Sequence, residues 1–231
     1  MARAGAFYLH GQVEAGSLCP TTMTFAAIPL LAGEPDLWAV LGSRLVSRHY
    51  DPRDLPATDK AGLVMGMGMT EKQGGSDLRA ITTTARPLGT AGEASLVGHK
   101  WFYSVPAADA HLVLAREGEG LSCFIVPRWW PDGQRNGVRI QRLKDKLGNH
   151  SNASGEVEFQ DAWGRRVGAP GRGLNVLLRM ATHTRLDCVL GSAALMRQGL
   201  VQALHHARHR QAFGKPLAQQ PLMAAVLADL A

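Results

Sequence analysis

The sequence predicts an α+β multidomain protein in which helical segments flank a compact β-domain. Three observations predict it. Apolar residues recur at three- and four-residue steps before residue 50 and again after residue 173, which is the period of a helix. Between residues 62 and 167 that period gives way to short β-type runs separated by Gly, Asp and Asn clusters. The changes of texture fall at the proline-punctuated connector Tyr50-Asp51-Pro52-Arg53-Asp54-Leu55-Pro56 and at Gly171-Arg172-Gly173. They divide the chain into three segments.

In the first segment Ala6, Leu9 and Val13, then Met23, Ala26, Leu30 and Leu31, keep a helical step broken by Gly and Pro, so two or three helices are expected. The middle segment offers β-type runs at 63–70, 80–85, 95–104, 111–115, 121–127, 138–143 and 156–159, enough for a barrel or a sandwich. Asp132-Gly133 and Gly118-Glu119-Gly120 read as turns between them. In the third segment a stripe from Leu174 through Leu178, Leu190, Met196 and Leu204 to Ala207 predicts one helix of about 35 to 40 residues, on the order of 55 Å long. Gly214 and Pro216 end it, and a second helix from about Pro221 is still in its pattern at Ala231. An amphipathic helix of that length needs a bundle to lie against, so the chain reads as a fragment of a longer protein.

Composition narrows the function classes. The 231 residues are 45% apolar and 19% charged, an ordinary globular balance. The net charge of +6 is scattered among acidic residues except in His205-His206-Ala207-Arg208-His209-Arg210, which argues against a general nucleic-acid surface. Cys19, Cys123 and Cys188 stand far apart with no zinc spacing, so neither a disulfide framework nor a metal site is expected. No apolar run approaches the roughly 20 residues that span a bilayer, and the start of the chain has no leader pattern. The protein reads as soluble and cytoplasmic, without a membrane partner.

Three stretches could carry chemistry. Met67-Gly68-Met69-Thr70-Glu71-Lys72-Gln73-Gly74-Gly75-Ser76-Asp77 is a strand end running into a small-residue loop that lets N–H groups and hydroxyls approach a heterocycle or a phosphate. A ligand-free hairpin loop is an equal reading, and the spacing matches neither a Walker nor a Rossmann loop. Gly98-His99-Lys100-Trp101-Phe102-Tyr103-Ser104 is an aromatic strand; alternation puts Trp101 and Tyr103 on one face and Phe102 on the other. Such a strand is more often core, although a flat aromatic face also suits a flavin ring. Residues 144–154 form a polar loop with two lysines that could meet a phosphorylated ligand, but a solvated turn is the commoner reading, and His150 reads as a surface residue.

Taken together, these stretches resemble the acyl-CoA dehydrogenase family. "MTEKQGGSD" is similar to its Thr-Glu…Gly-Ser-Asp signature, "GHKWFYS" to its Lys-x-Trp strand, "KDKLGNHSNASGEVEF" to its Lys-x-Gly-x-x-Ser segment, and "RHRQAFGKPLAQQ" to its Arg-x-x-Phe-Gly helix end. The wording of the first and third motifs, with "LCPTTMTFAAIPLL" near the start, resembles the branch linked to the DNA-alkylation response.

The resemblance implies the end of an N-terminal helical domain (1–58), a middle antiparallel β-barrel (59–168) and the start of a C-terminal helical bundle (169–231), with FAD as cofactor. By motif position, Met67, Met69, Thr70, Gly75, Ser76, Phe102, Tyr103 and Ser104 would contact the flavin, and Arg210 and Gln211 the flavin of a neighbouring subunit. Gln220 is a weak substitute for a family glutamine. Thr182, His183, Thr184 and Arg185 would face an acyl-CoA substrate weakly, with a salt bridge of the bundle an equal reading for Arg185. No catalytic base is implied: Thr184 stands where a minority of members carry a carboxylate, and Asp187 is displaced by nearly a turn. Self-association would run through the rest of the bundle. The competing readings are a flavoprotein that binds or protects DNA, and a β-scaffold that has lost its flavin.

Overall fold

A computed structural model describes residues 2–89 and 92–231. They form two compact units, Gly16–Arg185 and the pair of segments Met1–Ala15 and Leu186–Ala231. Three helices come first: α1 (Ala2–Gly11), α2 (Leu18–Leu31) and α3 (Pro35–Leu45). Seven strands follow: β1 (Met65–Gly68), β2 (Thr84–Pro87), β3 (Glu93–Ser104), β4 (Ala110–Glu117), β5 (Gly120–Pro127), β6 (Val138–Leu143) and β7 (Ser154–Val167). The chain ends with α4 (Gly173–His209), a two-residue ribbon of β8 (Gln211–Ala212) and β9 (Lys215–Pro216), and α5 (Pro221–Leu230).

The sheet closes on itself. β4 pairs with β5, β5 with β7 and β7 with β3. Two short strands laid end to end fill the space between β3 and β4: β1 runs beside residues 110–113 of β4 and meets Ser104 of β3, while β2 runs beside residues 94–97 of β3 and meets Arg116 of β4. The ring therefore has five staves, and β6 occupies the remaining edge of β7. Staves that alternate in direction cannot close in an odd number without one like-directed seam, and that seam is the parallel pairing of β1 and β2 with β4. The expected antiparallel barrel is met at every other seam.

Alternation along β4 explains why it read as an unbroken apolar run. Ala110, Leu112 and Leu114 pack outward with Met23, Leu30 and Leu31 of α2 and Leu41 and Leu45 of α3, while Val113 and Ala115 point into the barrel with Leu96, Phe124, Val126, Val157 and Phe159. Gly118, at φ +56°, opens the two-residue turn between β4 and β5. β2 begins later than the 80–85 run suggested, because residues 78–80 form a 3-10 turn. β7 extends eight residues past the expected end at 159, keeping β3 on one side as far as Arg165 while β6 gives way to β5 on the other.

A bulge in β3 decides the aromatic strand. Its register with β7 slips between Lys100, opposite Val157, and Tyr103, opposite Gly155, so three residues of one strand span two of the other. Lys100 and Tyr103 are thereby both fully buried, Phe102 is 47% exposed, and Trp101 meets Lys72, Arg142 and Lys144. The expectation that Trp101 and Tyr103 share a face is overturned, because the bulge shifts the alternation by one residue.

Candidate functional site

β1 ends at Gly68, and the loop that follows is fastened by a buried carboxylate. Glu71, with no exposed surface, accepts hydrogen bonds from the Lys100 ammonium at 2.8 Å, the Thr82 N–H at 2.6 Å and hydroxyl at 2.9 Å, and the Thr83 N–H at 3.1 Å and hydroxyl at 2.6 Å. Burial raises the Glu71 carboxyl, but Lys100 and these donors outweigh it and hold the group down at about 2. Burial draws the Lys100 ammonium down to about 8 against the pull of Glu71. At neutral pH the pair is ionic. Two further bonds set the loop's course: Trp101 N–H donates to the Thr70 carbonyl at 2.8 Å and Lys72 N–H to His99 Nε2 at 3.2 Å.

This scaffold presents an open seat. Gly75 lies over Thr70 so closely that a Cβ there would stand 2.6 Å from Thr70 Oγ1, and Gly74 turns the chain at φ +115°, a conformation that suits glycine. Met67 is opposite Ser104 in register, and Met67, Met69, Thr70 and Ser104 are half-buried, with Ser76 and Phe102 exposed. Among the described residues the hydroxyls of Thr70, Ser76 and Ser104 make no hydrogen bond, so their capacity is free for a ligand. The Tyr103 ring, by contrast, is sealed inside the barrel 5.0 Å from the His111 ring, and a Cβ on Gly68 would stand 2.1 Å from it. Tyr103 thus offers a ligand its backbone alone.

The remaining predicted residues are dispersed. The lysines of the 144–154 loop serve the fold: Lys144 bonds Glu156 at 2.7 Å, and Lys146 bonds the Asn152 carbonyl at 2.6 Å. His150 is exposed. On α4, the Thr182 and Thr184 hydroxyls turn back to the carbonyls of Leu178 and Ala181, His183 meets the Phe25 ring edge-on at 6.0 Å, and Arg185 is exposed without an ion pair among the described residues. Asp187 is buried in an ion pair with Arg3, which removes it as a base. Arg210 and Gln211 are exposed where α4 gives way to β8, and the Gln220 amide donates to the Ala212 carbonyl at 2.8 Å.

Sequence reasoning missed two features. Thr82 and Thr83 were read as part of a strand, although they supply four of the five bonds to Glu71; the run Thr82-Thr83-Thr84 was the visible signal. It also missed a cavity of about 610 Å³ beside α2, with Pro20, Thr24, Phe25 and Ile28 on one wall and Val105 and the charged Asp51, Arg53, Lys60, Asp109 and Arg128 also in its lining. Val105 directly follows Ser104 of the seat, and Phe25 is the residue that His183 meets.

Family models match almost end to end: "Adaptive response protein AidB N-terminal domain" over residues 1–52, "Acyl-CoA dehydrogenase, middle domain" over 66–162 and "Acyl-CoA dehydrogenase, C-terminal domain" over 171–231. The chain belongs to the acyl-CoA dehydrogenase family. It is 58% identical to AidB of Escherichia coli (strain K12) along its whole length, which covers 43% of that protein. The fold is also that of ACDH-11 of Caenorhabditis elegans, solved in complex with C11-CoA, at 30% identity and a TM-score of 0.81, covering 92% of this chain and 37% of that one. The apo form of Bd2924 superposes at 31% identity with a TM-score of 0.86, covering 98% and 46%. The chain thus spans less than half the length of these relatives.

Membership in this acyl-CoA dehydrogenase family carries FAD as the cofactor. The residues present fit it: a seat that glycine keeps open, three uncommitted hydroxyls and an exposed aromatic ring suit a flat, polar-edged heterocycle.

Proposed function

We propose that this chain forms the flavin cradle of an acyl-thioester dehydrogenase. The observation that carries the reading is the close approach of Gly75 to Thr70 in a loop held by the buried Glu71. Bound FAD would supply the redox chemistry by accepting a hydride from the β-carbon of the acyl chain. The protein's part is orientation. Thr70, Ser76 and Ser104 would hold the flavin's polar edge, Phe102 would cover its ring, and the apolar wall of Pro20, Phe25 and Ile28 would take the acyl chain.

Neither of the two α4 positions considered brings a base to that task. Thr184 cannot act as a carboxylate and Asp187 is committed to Arg3, so the α-proton would be removed by a group outside this chain. The chain alone is therefore proposed to be inactive. Arg210 and Gln211 would reach the flavin of a second subunit, with self-association through further helices of the bundle.

The test is the visible spectrum of the purified chain after incubation with FAD and gel filtration. Flavin bands that travel with the protein, weaken in Arg210→Ala and are not bleached by an added acyl-CoA would bear the reading out. Colourless protein would show that the seat does not hold FAD in this chain.

A second reading, that the longer protein binds or protects DNA, is favoured by the 58% identity to AidB. Lys72, Arg142 and Lys144 around Trp101 are the surface in this chain that it would use, although Glu156 offsets two of them. Retardation of duplex DNA that weakens steeply with salt would select it.

A further inference from the structure

We propose that Glu71 is the positioning residue of the cradle, a carboxylate hub that locks the flavin loop in its binding conformation before any cofactor arrives. This rests on the flavin reading above. Glu71 itself presents no surface to a ligand, being wholly buried. What it joins is the loop that carries Thr70 and Gly75, the segment 82–83 that leads into β2, and Lys100 in the bulge of β3. Three stretches far apart in sequence thus meet at two oxygen atoms.

The bonding is asymmetric, and the asymmetry separates a hub from an ordinary buried ion pair. If Lys100 is replaced, the Glu71 carboxylate keeps two N–H and two O–H donors from Thr82 and Thr83, a set able to hold an anion without a cation. If Glu71 is replaced by Gln, one amide oxygen faces four donors and the Lys100 ammonium, while the amide's own N–H₂ points at donors. Glu71 is the acceptor seen for the Lys100 ammonium, which has no exposed surface, so the lysine must shed its proton or drag the loop open. The loop should therefore depend on Glu71 far more than on Lys100.

The surrounding backbone is shaped for this junction. Gly98, at φ +148°, lets Thr83 approach so closely that a Cβ would stand 2.5 Å from Thr83 Oγ1 and 2.6 Å from its Cα. The Thr83 hydroxyl also lies 3.1 Å from the His99 carbonyl. Gly98 and Thr83 are thus expected to affect a flavin that neither touches, because a ligand binds more tightly to a loop whose ordering has already been met in folding.

The experiment compares Glu71→Gln, Lys100→Met and wild type in the 231-residue chain. Amide hydrogen exchange is read in the apo protein, FAD affinity by titration, and the melting temperature alongside. Exchange of the Thr82 and Thr83 amides should quicken at least a hundredfold in Glu71→Gln and less than tenfold in Lys100→Met, while amides of β4 and β5 stay protected in both. FAD affinity should fall at least tenfold in Glu71→Gln and about threefold or less in Lys100→Met, whatever the order of their melting temperatures.

Equal losses in the two variants, following melting temperature alone, would overturn the proposal by making the pair a generic stabiliser. So would loop amides in Glu71→Gln as protected as in wild type. If wild type itself takes up no FAD, the flavin reading fails while the exchange comparison still decides whether Glu71 holds the loop.

Discussion

The barrel and the helices after residue 186 treat apolar side chains in opposite ways. In the barrel Leu96, Phe124, Phe159 and Leu114 are buried to 1% exposure or less, and every stave finds a neighbour on both sides. In the smaller unit Val189, Leu195, Met196, Leu222 and Leu230 are more than half exposed, although they recur at helical spacing. The barrel completes its burial with residues of its own unit; the helical stripe shows surface that a longer bundle could cover, as the greater length of the relatives allows. A flavin seat proposed on the first region would rest on a fully packed barrel, whereas anything that depends on the second would be sensitive to partners.

Substitutions at matched apolar positions should break this comparison if it is wrong. The largest effect is expected for Phe124→Ala in the barrel interior, a loss of about 3–5 kcal/mol in urea unfolding. Gly68→Ala, which drives a methyl into the Tyr103 ring, should cost about 1–3 kcal/mol in the same assay.

Acid sharpens the comparison further. The folded Glu71 carboxyl lies at about 2, below its ordinary value of 4.5, so its contribution is fully present above about pH 4.5 and is lost as the pH falls toward 2. Wild type should thus lose stability across that window, and Glu71→Gln should show a flatter acid limb in melting curves. Gly75→Ala should leave the melting temperature within a few degrees, because only the Thr70 side chain must give way, yet weaken FAD binding on the order of tenfold by titration. The smallest effect is expected for Met196→Ala, within about 0.5 kcal/mol in this chain. A loss there as large as in the barrel would mean that the stripe is already covered.

Much of this fold was legible because its signals are periodic and local. The 37-residue α4, the helices on either side of residue 32 and most of the strands follow from spacing, glycine and proline alone. The seat was legible in part: Gly75, Thr70 and Ser76 stand in one short loop whose composition marks it. The hub beneath it was not, since Glu71, Thr82, Thr83 and Lys100 lie up to 29 positions apart and look in sequence like ordinary polar residues.

The sequence by itself determined the order of helices, β-domain and helices, the family motifs and the want of a carboxylate at Thr184, each of which is written in local patterns of residues. Only the tertiary structure decided that Tyr103 is sealed in and Trp101 turned out, that Asp187 is tied to Arg3, and that Glu71 joins three segments. A bulge shifts the alternation by one residue and long-range pairing brings distant donors to one carboxylate, and neither leaves a local pattern in the chain.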